Sequence, residues 1–170
     1  MTERFTLAPL SPAHDRAAFS CGVPALDRYL RELATQDIRR RVSNCFVALD
    51  AVGKIVGYYT LAATSLPLPE LAPEHARRLP RYGAMPAALI GRLAVDQASR
   101  GRGLGSALLV DAMARTLRAD PAIFALLVDA KDEEAQRFYL HHGFRNFASR
   151  PMTLYLPLAE AARRLGAAPP

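Results

Sequence analysis

The sequence predicts an α/β chain, a mixed β-sheet with helices on both faces. Three observations carry this expectation. Apolar runs of strand length alternate with stretches of helical periodicity. Two of those runs, 44–50 and 54–63, are joined by only Ala51-Val52-Gly53, which implies an antiparallel hairpin. A third run, 87–96, leads through the turn RGRGLGS into a helical stretch and then another apolar run. Such a strand–helix–strand passage gives parallel strands by a right-handed crossover.

Each element has its own signal. Residues 3–8 suit a short strand. Pro24 to Arg41 reads as an amphipathic helix: Leu26, Tyr29, Leu30, Leu33 and Ile38 share one face, and Pro24 suits a first turn. Residues 65–86, rich in proline, read as a loop with a short helix around Glu74 to Arg78, long enough to serve binding. Residues 87–96 form a strand. Gly103 to Leu117 is a helix with Leu104, Leu108, Ala112 and Leu117 near one face. The run 122–129 is almost wholly apolar, as a central strand requires. Asp132 can cap a helix that runs to His142 and ends at Gly143. Residues 152–157 give the last strand. Residues 1–164 are expected to form one domain, with 165–170 a frayed tail.

Composition narrows the class. The chain has 170 residues, 51% of them hydrophobic, which supports a packed core rather than disorder. No apolar run approaches the roughly 20 residues of a membrane span, and MTERFTLAPL lacks the pattern of a secretory signal. Cys21 and Cys45 form no CxxC pair, so a reducing, cytoplasmic setting is expected. The net charge is +6, and Lys54 and Lys131 are the only lysines. The cations are therefore almost all arginine, which grips phosphate in a bidentate fork. An anionic partner and a merely arginine-rich genome explain this equally well.

The turn Arg100-Gly101-Arg102-Gly103-Leu104-Gly105-Ser106 is more specific. A helix start offers unpaired N–H groups, and glycines before it let the backbone close on an anion. Placed between a strand and a helix, the turn reads as a phosphate cradle rather than a plain glycine turn. It lacks the GK[ST] of a Walker loop, and it departs from G-x-G-x-x-G at Ser106.

The spacing Arg100-x-x-Gly103-x-Gly105 resembles the [QR]-x-x-G-x-[GA] signature of the GNAT superfamily of N-acetyltransferases. Leu93-Ala94-Val95 stands where that family's splayed strand lies. Ala135 to Phe144 is similar to its A-x-x-F-Y-x-x-x-G-F element. With FSCGVPALDRYL (Phe19 to Leu30) and GYYTLAA, the chain resembles the acetyltransferase toxins of type II toxin–antitoxin modules over almost its full length. The resemblance implies a central, mostly antiparallel sheet with one parallel, splayed strand pair. It implies acetyl-CoA as donor, with Leu93, Ala94 and Val95 along the pantetheine arm and acetyl group. Arg100, Gly101, Arg102, Gly103, Leu104, Gly105 and Ser106 would then take the pyrophosphate. It implies aminoacyl-tRNA as acceptor, a ribbon-helix-helix antitoxin as partner and a homodimer.

Tyr139 matches the family's tyrosine, whose phenol can donate to a leaving thiolate; its bland alternative is an aromatic packed on the sheet. No general base is evident. Asp129, Glu133 and Glu134 are candidates only by proximity. That gap leans toward an α-amine acceptor, whose pKa near ~8 leaves it partly neutral, over a lysine near ~10.4. Arg77, Arg78, Arg81 and Arg92, and Arg39 to Arg41 with less force, could hold a nucleic acid backbone; solvated arginines are the alternative. His14, His75, His141 and His142 lack metal spacing, and no metal is expected. A GNAT acting on a small amine or a protein N-terminus, or a silent coenzyme A-binding module, are the rival functions.

Overall fold

The computed structural model describes residues 4–166. The described chain divides into two compact units. The first comprises residues up to Ala62 with Gly91–Ala112, the second Ala63–Ile90 with residues from Met113 onward. The divisions fall inside continuous elements, namely β3 (Ile55–Pro67), β4 (Ala84–Val95) and α4 (Leu104–Leu117), and not at linkers.

In the first unit β1 (Thr6–Pro9) pairs antiparallel with β2 (Asn44–Leu49), which forms the expected hairpin with β3. Asp50 makes the hairpin turn. Its Oδ1 accepts from the N–H groups of Val52 and Lys54 at 3.0 and 2.8 Å. The core of this unit gathers Phe19, Tyr29, Leu30, Ala34, Val47, Ile55, Tyr58 and Ala94. The Tyr58 hydroxyl donates to the Leu26 carbonyl at 2.6 Å, so even the polar tip of that buried ring is satisfied.

The first helical segment departs from its expected regularity. It runs as α1 (Pro24–Arg28), a π-helical turn (Tyr29–Leu33) and α2 (Ala34–Arg39). The Ala34 N–H reaches back five residues to the Tyr29 carbonyl. That extra residue rotates everything after it by about 100°, the angular step of an α-helix. Ala34 therefore takes the buried place above Tyr29, and Leu33 turns outward to 38% exposure. An uninterrupted 3.6-residue period would have kept Leu33 on the buried face.

In the second unit β4 pairs parallel with β5 (Ala125–Asp129) from Ala87↔Ala125 to Ile90↔Val128, as the crossover predicts. β5 pairs antiparallel with β7 (Thr153–Pro157), and the two-residue β6 (Arg145–Asn146) lies on the far side of β7. Both β5 and β7 are buried almost throughout, as central strands covered on both faces must be. The seven strands run in the order β1-β2-β3-β4-β5-β7-β6. Only the β4–β5 pairing among those described is parallel.

Two elements escaped the sequence reading: β6, and α6 (Leu158–Arg164), which buries Leu158, Ala161 and Ala162. Leu165 closes α6; residues 167–170 of the expected tail lie outside the described residues. The proline-rich segment is shorter as a loop than expected. β3 continues to Pro67, β4 begins at Ala84, and between them lie a 3-10 turn (Leu68–Glu70) and α3 (Pro73–Ala76). Among the described residues no helix is long and apolar enough to cross a membrane.

Candidate active site

The glycine–arginine turn is fixed from behind by Asp96, the residue that ends β4. Asp96 is 4% exposed. Its N–H donates to the Val56 carbonyl at 2.9 Å, which ties the end of β4 to β3. Its Oδ2 accepts from the Ser20 N–H at 3.1 Å, and its Oδ1 accepts from the Ala98 N–H at 3.0 Å. The second bond caps a 3-10 turn (Gln97–Ser99) that delivers the chain to Arg100. The Gln97 N–H donates to the Ser20 carbonyl at 2.8 Å, so two bonds link this turn to the segment before α1. A sequence scan for catalytic patterns passes over Asp96 because its partner lies 76 positions away.

Arg100 has a structural duty beside the one expected. Its guanidinium donates to the Cys21 carbonyl at 2.6 Å. The side chain is otherwise exposed, and a guanidinium carries five N–H donors, so most remain for an anion.

Gly101 and Gly103 have φ of +77° and +75°. A Cβ at either would meet nothing within 4 Å. These glycines are needed for the backbone path alone, and the space beside them is open. The Ala107 N–H makes the first helical bond of α4, to the Gly103 carbonyl at 3.1 Å. Gly103 is therefore the cap residue, and the N–H groups of Leu104, Gly105 and Ser106 have no acceptor within the helix. An open space, the start of a helix and exposed arginines on one turn suit a phosphate group. Leu104 and Leu108 anchor the helix. A Cβ on Gly57 would lie 3.1 Å from Leu108 Cδ1 and 3.2 Å from the Ala94 carbonyl, so that close approach requires glycine.

Replacing Gly103 with alanine therefore tests conformation without a clash. The left-handed φ costs a side chain about 1–2 kcal/mol. Gly103→Ala is expected to lower Tm by a few degrees and raise the KM for acetyl-CoA. An unchanged donor KM would separate this turn from donor binding.

In the second unit the Asp132 side chain caps α5 (Glu133–His141), accepting from the Ala135 N–H at 2.8 Å. Tyr139 is 7% exposed, its ring against Phe138 and Phe144 with centroids 5.2 and 5.5 Å away. Its hydroxyl makes no hydrogen bond to a described residue, yet among the described residues no buried side-chain polar atom lacks a partner. The ring is thus enclosed while the hydroxyl itself is reachable. Burial pushes the phenol up to about 12, so it is protonated at neutral pH. Of the acidic candidates, Asp129 accepts from the Thr153 hydroxyl at 2.7 Å across the β5–β7 pair, while Glu133 and Glu134 sit exposed in the first turn of α5.

The four arginines assigned to nucleic acid divide between the units. Arg92 lies in the first, its guanidinium carbon 3.6 Å from the centre of the Tyr29 ring, an internal cation–π contact the sequence does not disclose. Arg77, Arg78 and Arg81 lie together in the second, all exposed. Their segment is anchored at His75. The Tyr155 hydroxyl accepts from the Ala72 N–H at 2.9 Å and lies 3.0 Å from His75 Nδ1. His75 Nε2 lies 3.1 Å from Glu160. His75 thus bridges the Tyr155 hydroxyl and the Glu160 carboxylate through its two ring nitrogens.

Residues 41–146 match the family model for the acetyltransferase (GNAT) domain. The tRNA-acetylating toxin of Mycobacterium tuberculosis is 38% identical over 159 residues, covering 92% of this chain and 94% of the relative. A probable toxin TacT of Sinorhizobium fredii is 30% identical over 171 residues, 94% of each chain. Among solved structures, AtaT complexed with acetyl-methionyl-tRNAfMet matches with a TM-score of 0.88 at 25% identity, over 95% of this chain and 99% of that one. A tyrosine-to-phenylalanine mutant of KacT matches with a TM-score of 0.87, also at 25% identity and over the same shares.

Proposed function

The chain belongs to the GNAT acetyltransferase family, and from that premise we propose that it moves the acetyl group of acetyl-CoA to the α-amine of an amino acid charged on tRNA, as the toxin of a toxin–antitoxin pair in the cytoplasm. The observation that carries the reading is the 38% identity to a tRNA-acetylating toxin over 92% of this chain.

The donor's pyrophosphate lies against the N–H groups of Leu104, Gly105 and Ser106, with Gly101 and Gly103 shaping the turn and Arg100 and Arg102 supplying charge. Leu93 and Ala94 line the pantetheine arm. The Val95 N–H polarises the acetyl carbonyl. The neutral amine attacks that carbonyl, a C–N bond forms and the C–S bond breaks. The new ammonium loses one proton and the departing thiolate gains one, so the transfer needs no external acid overall. Tyr139 donates a hydrogen bond to the sulfur as its charge develops. Arg77, Arg78 and Arg81 hold the tRNA backbone, with Arg92 a more distant candidate because Tyr29 already takes one face of its guanidinium. The active particle is a homodimer, neutralised by a ribbon-helix-helix antitoxin whose acidic tail competes with tRNA for the arginines.

Purified protein, labelled acetyl-CoA and total charged tRNA test the reading directly. Label should appear on the amino acid released by mild base and should be absent when the tRNA is deacylated beforehand. Label found only on free amines or protein N-termini would overturn the acceptor assignment and leave the acetyltransferase intact.

A further inference from the structure

Among the described residues Tyr82 is the most exposed of the large hydrophobic and aromatic side chains outside the hairpin turn at Val52, with 79% of its surface open. Its side chain has no hydrogen bond and no ring contact with a described residue. An exposed tyrosine offers a flat apolar face together with a polar tip. The backbone around it is not loose. The Leu79 side chain packs against the core of the second unit, three residues before the ring. The Gly83 carbonyl, one residue after it, accepts from the Leu68 N–H at 3.0 Å and closes the base of the segment. The Tyr82 N–H turns back to the Pro80 carbonyl at 3.0 Å. Anchors on both sides thus hold the ring outward.

The charge around the ring is one-sided. Residues 65–86 contain two carboxylates, and both are engaged elsewhere. Glu70 accepts from the Ser149 hydroxyl and its N–H, and Glu74 pairs with Arg145 at 2.9 Å. Arg78 and Arg81 have no ion pair or side-chain hydrogen bond with described residues, and Arg77 bonds only the Pro73 carbonyl at 3.3 Å. The segment thus offers cations and an aromatic face with no competing carboxylate. An acidic peptide would engage the arginines through its carboxylates and does not require the ring. A nucleic acid uses both: phosphates take the arginines, and an unpaired base takes the ring.

We propose that Tyr82 is a stacking platform for an unpaired base of the RNA acceptor, with Arg77, Arg78 and Arg81 gripping the phosphates beside it. This inference rests on the tRNA reading above. Its test uses binding rather than acetyl transfer, so the two can fail separately. Fluorescently labelled total tRNA is titrated with the full chain, wild type and variants, at several salt concentrations. Tyr82→Phe keeps the ring and should bind as wild type does. Tyr82→Ala should weaken binding about 5- to 150-fold, the range for losing one stacked base. That factor should be the same at every salt concentration, whereas Arg78→Ala should flatten the salt dependence. Tm and the KM for acetyl-CoA should not move in either Tyr82 variant. Equal tRNA binding by wild type and Tyr82→Ala overturns the inference, and if charged tRNA is still acetylated the functional reading stands. A wild type that binds no tRNA overturns both. If Tyr82→Ala binds tRNA normally but loses an acidic antitoxin-tail peptide, the ring belongs to a protein interface and the inference is likewise overturned.

Discussion

Tyr139→Phe is expected to lower kcat by about 10²- to 10³-fold, the range for losing one hydrogen-bond donor to developing charge, with acetyl-CoA affinity within about twofold of wild type. The substitution removes one atom and little else. The ring is 7% exposed, and its contacts with Phe138 and Phe144 are kept by phenylalanine. No described group loses a hydrogen bond, because the hydroxyl has none. Stability should therefore change by no more than about 0.5 kcal/mol, as at sites free of a special mechanism. The energetics also fix how the phenol acts. Burial pushes it up to about 12, whereas a thiol of the cysteine type sits near ~8.5. Complete transfer to a free thiolate would run uphill by roughly 3.5 units, or about 5 kcal/mol. In the proposed reaction Tyr139 is therefore a hydrogen-bond donor while charge grows on sulfur, and the proton balance is closed by the new ammonium. Because the phenol is raised above its ordinary value, its neutral form persists through the whole working range. The wild-type profile of kcat/KM against pH should show no falling limb from Tyr139 below about pH 11, one unit under that value. An unchanged kcat would remove Tyr139 from the chemistry. A parallel fall in kcat, donor affinity and Tm would make it a packing residue.

What the sequence disclosed and what it hid follow from the range of the interactions. The turn at 100–106 was legible because its chemistry is local: positive φ at Gly101 and Gly103 and a helix start at Leu104 depend on neighbours along the chain. The same holds for Asp132 capping α5 and for the hairpin turn at Asp50. The π-helical turn at Tyr29–Leu33 was not legible, because nothing in YLREL distinguishes a five-residue bond from a four-residue one. Tertiary packing selects it, and with it whether Leu33 or Ala34 is buried. α6 was missed because LAEAARR is short and follows a proline directly, where the strand reading simply ran out. Arg92 was read as free for RNA because composition shows a charge and not its partner; Tyr29 lies 63 positions earlier in the chain. His75 shows the same limit from the other side. Its sequence context gives it no partner, and only the fold reveals Tyr155 and Glu160 as the groups that hold it.

Asp96 is the residue where a long-range contact bears most on the chemistry, and its replacement makes the second large prediction. The carboxylate accepts from the Ser20 and Ala98 N–H groups, so one side chain fixes both the segment before α1 and the 3-10 turn before Arg100. Asp96→Ala leaves both donors without their acceptor. Each such loss costs about 1–3 kcal/mol when the group is buried. Ser20 and Ala98 are exposed at the residue level, so water can replace part of what is lost. The total should therefore sit near the low end, at about 2–3 kcal/mol. For a chain of this size that is a fall in Tm of roughly 5–10 °C. Asp96→Asn keeps one oxygen acceptor but turns an NH₂ toward the other donor, so about half the loss is expected. The functional effect should follow the geometry. Freed from its cap, the 3-10 turn no longer sets where Arg100 and the glycines begin, so the KM for acetyl-CoA should rise in both variants, more in alanine than in asparagine. Tyr139 is not one of the hydrogen-bonded groups of this network, so kcat at saturating donor should fall far less than in Tyr139→Phe. Thermal unfolding and steady-state kinetics on the three proteins decide the point. A stability loss graded from asparagine to alanine with donor KM unchanged would show that Asp96 holds the fold without positioning the turn. Unchanged stability in Asp96→Ala would show that the two hydrogen bonds carry no net weight.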